Sequence, residues 1–107
     1  MRFERSSGVL LHPTCLPGPH GNGDLGESAY WFVDWLATAG QRLWQVLPMS
    51  EIGPGNSPYM SPASSAGNVL LIDLHALARE GWLHADELRP DPGLREERVD
   101  YGCVRAF

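Results

Sequence analysis

Lysine is absent. The chain has 107 residues, and its eight Lys-plus-Arg positions are all arginine, set against thirteen Asp and Glu for a net charge of −5. Those arginines are scattered, at Arg2, Arg5, Arg42, Arg79, Arg89, Arg95, Arg98 and Arg105, and make no basic stripe. No nucleic acid is therefore expected as a partner. Long apolar runs are also missing. None approaches the roughly 20 residues of a membrane span, so no membrane partner is expected. The N-terminal stretch MRFERSSGVLLHP has too short an apolar run for the h-region of a signal peptide. Cysteine is scarce: Cys15 and Cys103 give no disulfide framework. With no export signal, both are expected as reduced thiols in the cytoplasm. Internal repeats and low-complexity tracts are missing too. What remains is an ordinary globular composition, 43% hydrophobic, and a length that allows one domain at most.

The apolar segments are short and well separated. GVLLH, residues 8–12, is bounded by Ser7 and Pro13 and reads as a buried strand. PTCLPGPHGNG, residues 13–23, must be loop. Asp24 offers a helix N-cap, and Glu27 three residues on approaches a capping box. From Ala29, the residues Phe32, Val33, Leu36 and Ala39 share one face at helical spacing, and Gly40 stands where a terminating glycine belongs. LWQVLP, residues 43–48, is a second strand, stopped by Pro48. Strand, helix and strand in this order predict a βαβ unit with parallel strands. Two parallel strands cannot cover their own faces, so the unit is expected to begin a larger α/β fold. Residues 49–68 form a long loop, and loops of this length in compact proteins usually carry function. VLLIDL, residues 69–74, reads as extended. A short helix follows near 74–81, with Asp73 as its cap. The segment Asp86 to Asp100 is polar and charged.

Several motifs invite chemistry. GNGDLG, Gly21 to Gly26, is a literal G-x-G-x-x-G, but about eight residues separate it from the strand end at His12. A dinucleotide site needs its first glycine directly after the strand. Asp24 would also bring a carboxylate where pyrophosphate should bind. Loop glycines with a capping Asp are the better reading. His12, Cys15, His20 and Asp24 lie close in sequence, yet only His12 and Cys15 have the spacing of a zinc-ligand pair and no second pair follows. No metal is expected. Trp31, Trp35, Trp44 and Trp82 are expected to pack against neighbouring elements.

The loop GPGNSPY is the strongest binding candidate. Pro54 and Pro58 stiffen it, and its glycines allow close approach of a ligand. Tyr59 offers an aromatic face with a hydroxyl, and Ser57 and Asn56 offer polar neighbours. Sugars are bound by this pairing, with C–H faces on a ring and hydroxyls on polar groups. The alternative is a rigid loop with Tyr59 tucked into the core, and the residues alone leave both open.

Five blocks then resemble one family. GVLLHPTCLPGPHGNGDLG, AGQRLWQVLP, GNSPY, AGNVLLIDL and RVDYG follow in order the N-terminal part of the 4-alpha-glucanotransferases, the amylomaltase or disproportionating-enzyme family. The similarity runs from about Gly8 to Phe107. It implies an α/β chain that is the N-terminal portion of a (β/α)8 TIM barrel. Residues 1–70 would be the first βαβ part of the catalytic barrel, and residues 71–107 the start of an inserted subdomain. The rest of the barrel would be absent. The loops after the strands would border the active face. The implied activity is that of a hexosyltransferase in carbohydrate metabolism. It moves a segment of an α-1,4-glucan to an acceptor glucan or glucose by a retaining double displacement. The partners would be α-1,4-glucans and maltooligosaccharides, with no cofactor.

In the family the reacting carboxylates lie on later strands, beyond Phe107. No catalytic residue is therefore expected in this chain, which by itself would be inactive. Asp24, Asp34, Glu51 and Asp73 read as cap, surface, loop and cap. The resemblance carries substrate-binding roles onto Tyr59, which would stack on glucose near the cleavage point, and onto Ser57, which would contact sugar hydroxyls. The chain departs from the family pattern at Cys15, Pro54, Asn56 and Val69. The reading from a different class is a non-catalytic fragment that binds glucan without transferring it.

Overall fold

A computed structural model describes residues 4–94 and 97–106. Arg2, Arg95 and Phe107, where the resemblance ends, lie outside the described residues.

The first apolar run forms β1, Gly8–Leu10, and the second forms β2, Leu43–Gln45. They pair in parallel, with Gly8 opposite Leu43, Val9 opposite Trp44 and Leu10 opposite Gln45. The pairing extends through the Leu11 N–H, which donates to the Gln45 carbonyl. The helix between them, α1, spans Glu27–Thr38. It stops where the glycine pattern requires. Gly40 adopts a positive φ of 73°, its N–H donates to the Ala37 carbonyl, and the Gln41 N–H reaches back to Leu36. That pair of bonds is a Schellman closure.

The helix start differs from expectation. Gly26, not Asp24, occupies the N-cap position, and no side chain caps α1 there, Glu27 included. Asp24 sits two residues earlier and its Oδ1 accepts the Gly26 N–H at 2.9 Å. A short carboxylate bonding two residues ahead makes a turn rather than a cap.

The core is small. Leu16, Ala29, Phe32 and Leu36 are buried together, with Val9, Leu11 and Trp44 packed against them. Trp44 meets Phe32 edge-on at 4.9 Å and donates its indole N–H to the Leu11 carbonyl at 2.7 Å. Beyond this cluster much apolar surface is open. Leu10, Leu43 and Val33 are exposed, as is Ala39, so the strands are not buried and only part of the expected helix face is covered. Of the tryptophans expected to pack, Trp35 stacks on Phe32 at 5.8 Å, whereas Trp31 and Trp82 stand exposed, Trp82 at 80%. A two-stranded sheet has no further strand or helix layer to hide these groups. The radius of gyration, 15.3 Å, exceeds the roughly 13 Å of a compact chain of this length.

The expected extended segment 69–74 is instead a 3-10 turn, Val69–Leu71, because the Asn68 side chain accepts the Leu70 N–H and starts a helical turn. Helix α2, Leu74–Arg79, follows with Asp73 as its cap, its Oδ1 accepting the Ala76 N–H. The other carboxylate oxygen, Oδ2, pairs with Arg79 at 3.2 Å. A third short helix, α3, spans Tyr101–Ala106. Among the described residues no helix is long and apolar enough to cross a membrane.

Candidate functional site

Parallel strands send both following loops to the same side of the sheet. The loop after β1 runs from Leu11 to Gly26, and the loop after β2 from Val46 to Asn68. His12, at the end of β1, ties them together. Its Nδ1 accepts from the Thr14 N–H and meets Thr14 Oγ1 at 2.9 Å, while Nε2 lies 3.4 Å from the Pro48 carbonyl oxygen. Thr14 Oγ1 in turn meets the Tyr101 hydroxyl at 3.1 Å. One proton order satisfies the whole chain. The Tyr101 O–H donates to Thr14, the Thr14 O–H to Nδ1, and the Nε2–H to Pro48. His12 and Thr14 are buried, so this chain is shielded and expensive to break. His12 is therefore a hydrogen-bonded strand-end residue.

The second loop is closed at its base. Ser50 bridges Gly67 in antiparallel fashion, and the Asn68 N–H donates to the Met49 carbonyl at 2.9 Å. Within it the segment 53–60 folds on itself. The Gly53 and Met60 N–H groups both donate to the Ser57 carbonyl, at 3.2 and 3.3 Å. Gly55 and Asn56 carry consecutive positive φ values of 72° and 58°, and Asn is among the few side chains that tolerate that region. Ser57 Oγ accepts the Tyr59 N–H at 3.3 Å. Tyr59 is 69% exposed, so its ring is presented at the surface and not packed in the core. Below this loop a cleft of about 540 Å³ is lined by Ile52, Asn56, Met60 and Arg105, among others.

The G-x-G-x-x-G segment behaves as a turn. Around Gly26, at the start of α1, stand the carboxylates of Asp24 and Asp73, each near enough to meet a Cβ placed on that glycine. Two acids at this helix start leave no place for a phosphate. Burial, and then the neighbouring Asp73, push the Asp24 carboxyl above its ordinary value, while the Gly26 N–H bond opposes the shift. His20 stacks on His75 with ring centroids 5.4 Å apart. Burial and the His75 charge lower its pKa. Asp100 shifts opposite to Asp24: the Cys103 and Gly102 N–H groups hold its carboxyl below the ordinary range. Cys15 is exposed. Among the described residues no three His, Cys, Asp or Glu side chains converge as metal ligands, and His12 and His20 are engaged separately. Asp34 and Glu51 are exposed, as their surface and loop readings expect.

A family model described as 4-alpha-glucanotransferase matches residues 11–107. The chain belongs to the 4-alpha-glucanotransferase family. It is 49% identical over 107 residues to the 4-alpha-glucanotransferase of Thermus thermophilus, covering 100% of this chain and 21% of that protein. The chloroplastic/amyloplastic 4-alpha-glucanotransferase of Arabidopsis thaliana is 52% identical over 97 residues, covering 91% of this chain and 16% of that protein. Among solved structures, the amylomaltase from Streptococcus agalactiae in complex with acarbose superposes with a TM-score of 0.87 at 44% identity, covering 92% of this chain and 20% of that one. The chain thus spans about one fifth of the length of the 4-alpha-glucanotransferases it matches.

Three residues that frame the site went unread in the sequence: Thr14, Tyr101 and Arg105. The signal for the last two is local. Tyr101 and Arg105 stand four apart and so share a face of α3.

Proposed function

We propose that this chain is part of a 4-alpha-glucanotransferase that moves a segment of an α-1,4-glucan to an acceptor glucan or glucose. Residues 1–70 supply the first βαβ part of a (β/α)8 barrel, and residues 71–107 begin a subdomain inserted beside it. The observation that carries the reading is the closed loop after β2. It holds an exposed Tyr59 on the side where a parallel α/β protein binds its ligands. Tyr59 stacks on a glucose unit, and Ser57 contacts its hydroxyls. The acarbose complex of the S. agalactiae amylomaltase supports a saccharide ligand for this fold.

The two carboxyl groups of a retaining double displacement come from elsewhere on the polypeptide. One attacks the anomeric carbon and the other protonates the leaving oxygen. A sugar hydroxyl then takes the place that water has in hydrolysis. Substrates are α-1,4-glucans and maltooligosaccharides, met in the cytoplasm.

The test is product analysis on maltotriose. The intact protein should release glucose and build longer oligosaccharides, while residues 1–107 by themselves should do neither. Glucose release without chain lengthening would make the protein a hydrolase. Transfer by residues 1–107 would place the reacting acids in this chain and overturn the assignment. Glucan binding by an intact protein that never transfers would favour a non-catalytic binding role.

A further inference from the structure

Helix α3 is distant in sequence from the loop after β2, yet it reaches that loop's base. Arg105 Nη2 donates to the Ile52 carbonyl oxygen at 2.6 Å, a short charge-assisted bond. The Ile52 side chain is itself buried, at 4% exposure, so packing and hydrogen bonding hold this residue together. The next residue, Gly53, lies so close to Met60 that a Cβ on it would overlap the Met60 carbonyl. Gly53 and Met60 both bond to the Ser57 carbonyl. Wherever Ile52 is held, Gly53, Ser57 and Met60 must follow, and Tyr59 lies between the last two. Helix α3 is fixed in its turn. Tyr101 bonds to Thr14 in the loop after β1, and the buried Val104 lies beside Gly21.

We propose that Arg105 is a positioning residue. Through the Ile52 carbonyl it sets the attitude of the 53–60 loop, and so of Ser57 and Tyr59, toward an α-1,4-glucan. This rests on the glucan reading of that loop. Arg105 needs no contact with the sugar. It acts by keeping the loop in one arrangement before the sugar arrives, which lowers the ordering cost of binding.

The experiment uses the intact protein with maltotriose as donor. Arg105→Met removes the donor and keeps most of the stem. Losing one charged hydrogen bond at the loop base should raise KM about five- to tenfold, with kcat held within about twofold. Amide exchange at Gly53 and Met60 should quicken while α1 keeps its protection. Arg105→Lys, which retains one charged donor, should recover at least half of the KM loss. An unchanged KM, or wild-type exchange at Gly53 and Met60, would overturn the proposal. So would equal quickening in α1, since Arg105 would then be a general stabiliser. If Arg105→Met does not fold, Arg105→Lys is read alone. A modest KM rise with faster loop exchange supports the proposal, and wild-type behaviour in both overturns it. A wild-type protein without transfer would sink the glucan reading and the sugar half of this one. The exchange measurement would still decide whether Arg105 holds the loop.

Discussion

Gly53→Ala tests the loop directly. The Gly53 backbone is extended, with φ −87° and ψ −165°, so alanine meets no conformational penalty there. The obstacle is space. A Cβ would lie on the Met60 carbonyl oxygen and 2.5 Å from its carbonyl carbon. Backbone cannot swing aside as a flexible side chain can, so the two segments must part. Parting them breaks the Gly53 and Met60 bonds to the Ser57 carbonyl. At about 1 kcal/mol each, the loss is about 2 kcal/mol of loop order. If the loop must close to hold substrate, that becomes a loss of about thirtyfold in kcat/KM. Global stability should barely move, because Leu16, Ala29, Phe32 and Leu36 are untouched. Gly67→Ala is the control, since nothing lies within 4 Å of a Cβ there. The assay is the initial rate of glucose release from maltotriose by the intact protein, with a thermal melt beside it. Equal rates for Gly53→Ala and Gly67→Ala would refute the claim that loop closure supports binding.

Other outcomes follow from single side chains. Tyr59→Ala in the intact protein should cut transfer at least about tenfold while shifting stability by under about 0.5 kcal/mol, because the ring is exposed; full activity would remove Tyr59 from the site. Leu36→Ala should cost about 2–5 kcal/mol in denaturant unfolding, since the side chain is buried against Phe32 and Leu16; a loss below about 1 kcal/mol would mean that the core collapses around the gap. The lowered pKa of His20 makes stability pH-dependent. The folded chain binds that proton less readily than the unfolded one, so the contribution is whole above the ordinary value of 6.5 and is lost as pH falls below it. Asp24 opposes this at lower pH. Its raised pKa makes protonation favour the fold as pH drops through that value toward 3.8. Urea unfolding at about pH 7.5 and about pH 5.5 should show the wild type losing more stability than His20→Gln; equal losses would assign the effect to other groups.

The βαβ unit was legible because its signals are local. GVLLH and LWQVLP are bounded runs, the Ala29–Phe32–Leu36 spacing is helical, and Gly40 is a terminator whose geometry needs no partner. Asp73 capping α2 was legible for the same reason. What failed depended on distant chain or on competing local bonds. VLLIDL has strand composition, but Asn68 in front of it captures the Leu70 N–H and turns it helical. Asp24 satisfies the rule for a cap, yet two residues ahead it finds Gly26 and spends its oxygen there. Trp31, Val33 and Trp82 read as packing residues, but among the described residues they stay largely uncovered. At the candidate site, composition left open whether GNSPY presents Tyr59 or tucks it into the core, and the structure exposes the ring. The loop's tether could not be read at all, because Arg105 lies 53 residues away from Ile52.

The two-stranded sheet has a consequence for the life of the polypeptide. Among the described residues each strand has a neighbour on one flank only, and an open flank is an invitation to any stray extended peptide. While a ribosome still works, or after a protease has cut, this portion would meet its neighbours with backbone donors and acceptors unspent. Chaperone demand, inclusion-body formation and sensitivity to expression temperature should therefore track how long β1 and β2 wait for company, more than they track the strength of the little core that α1 makes against them.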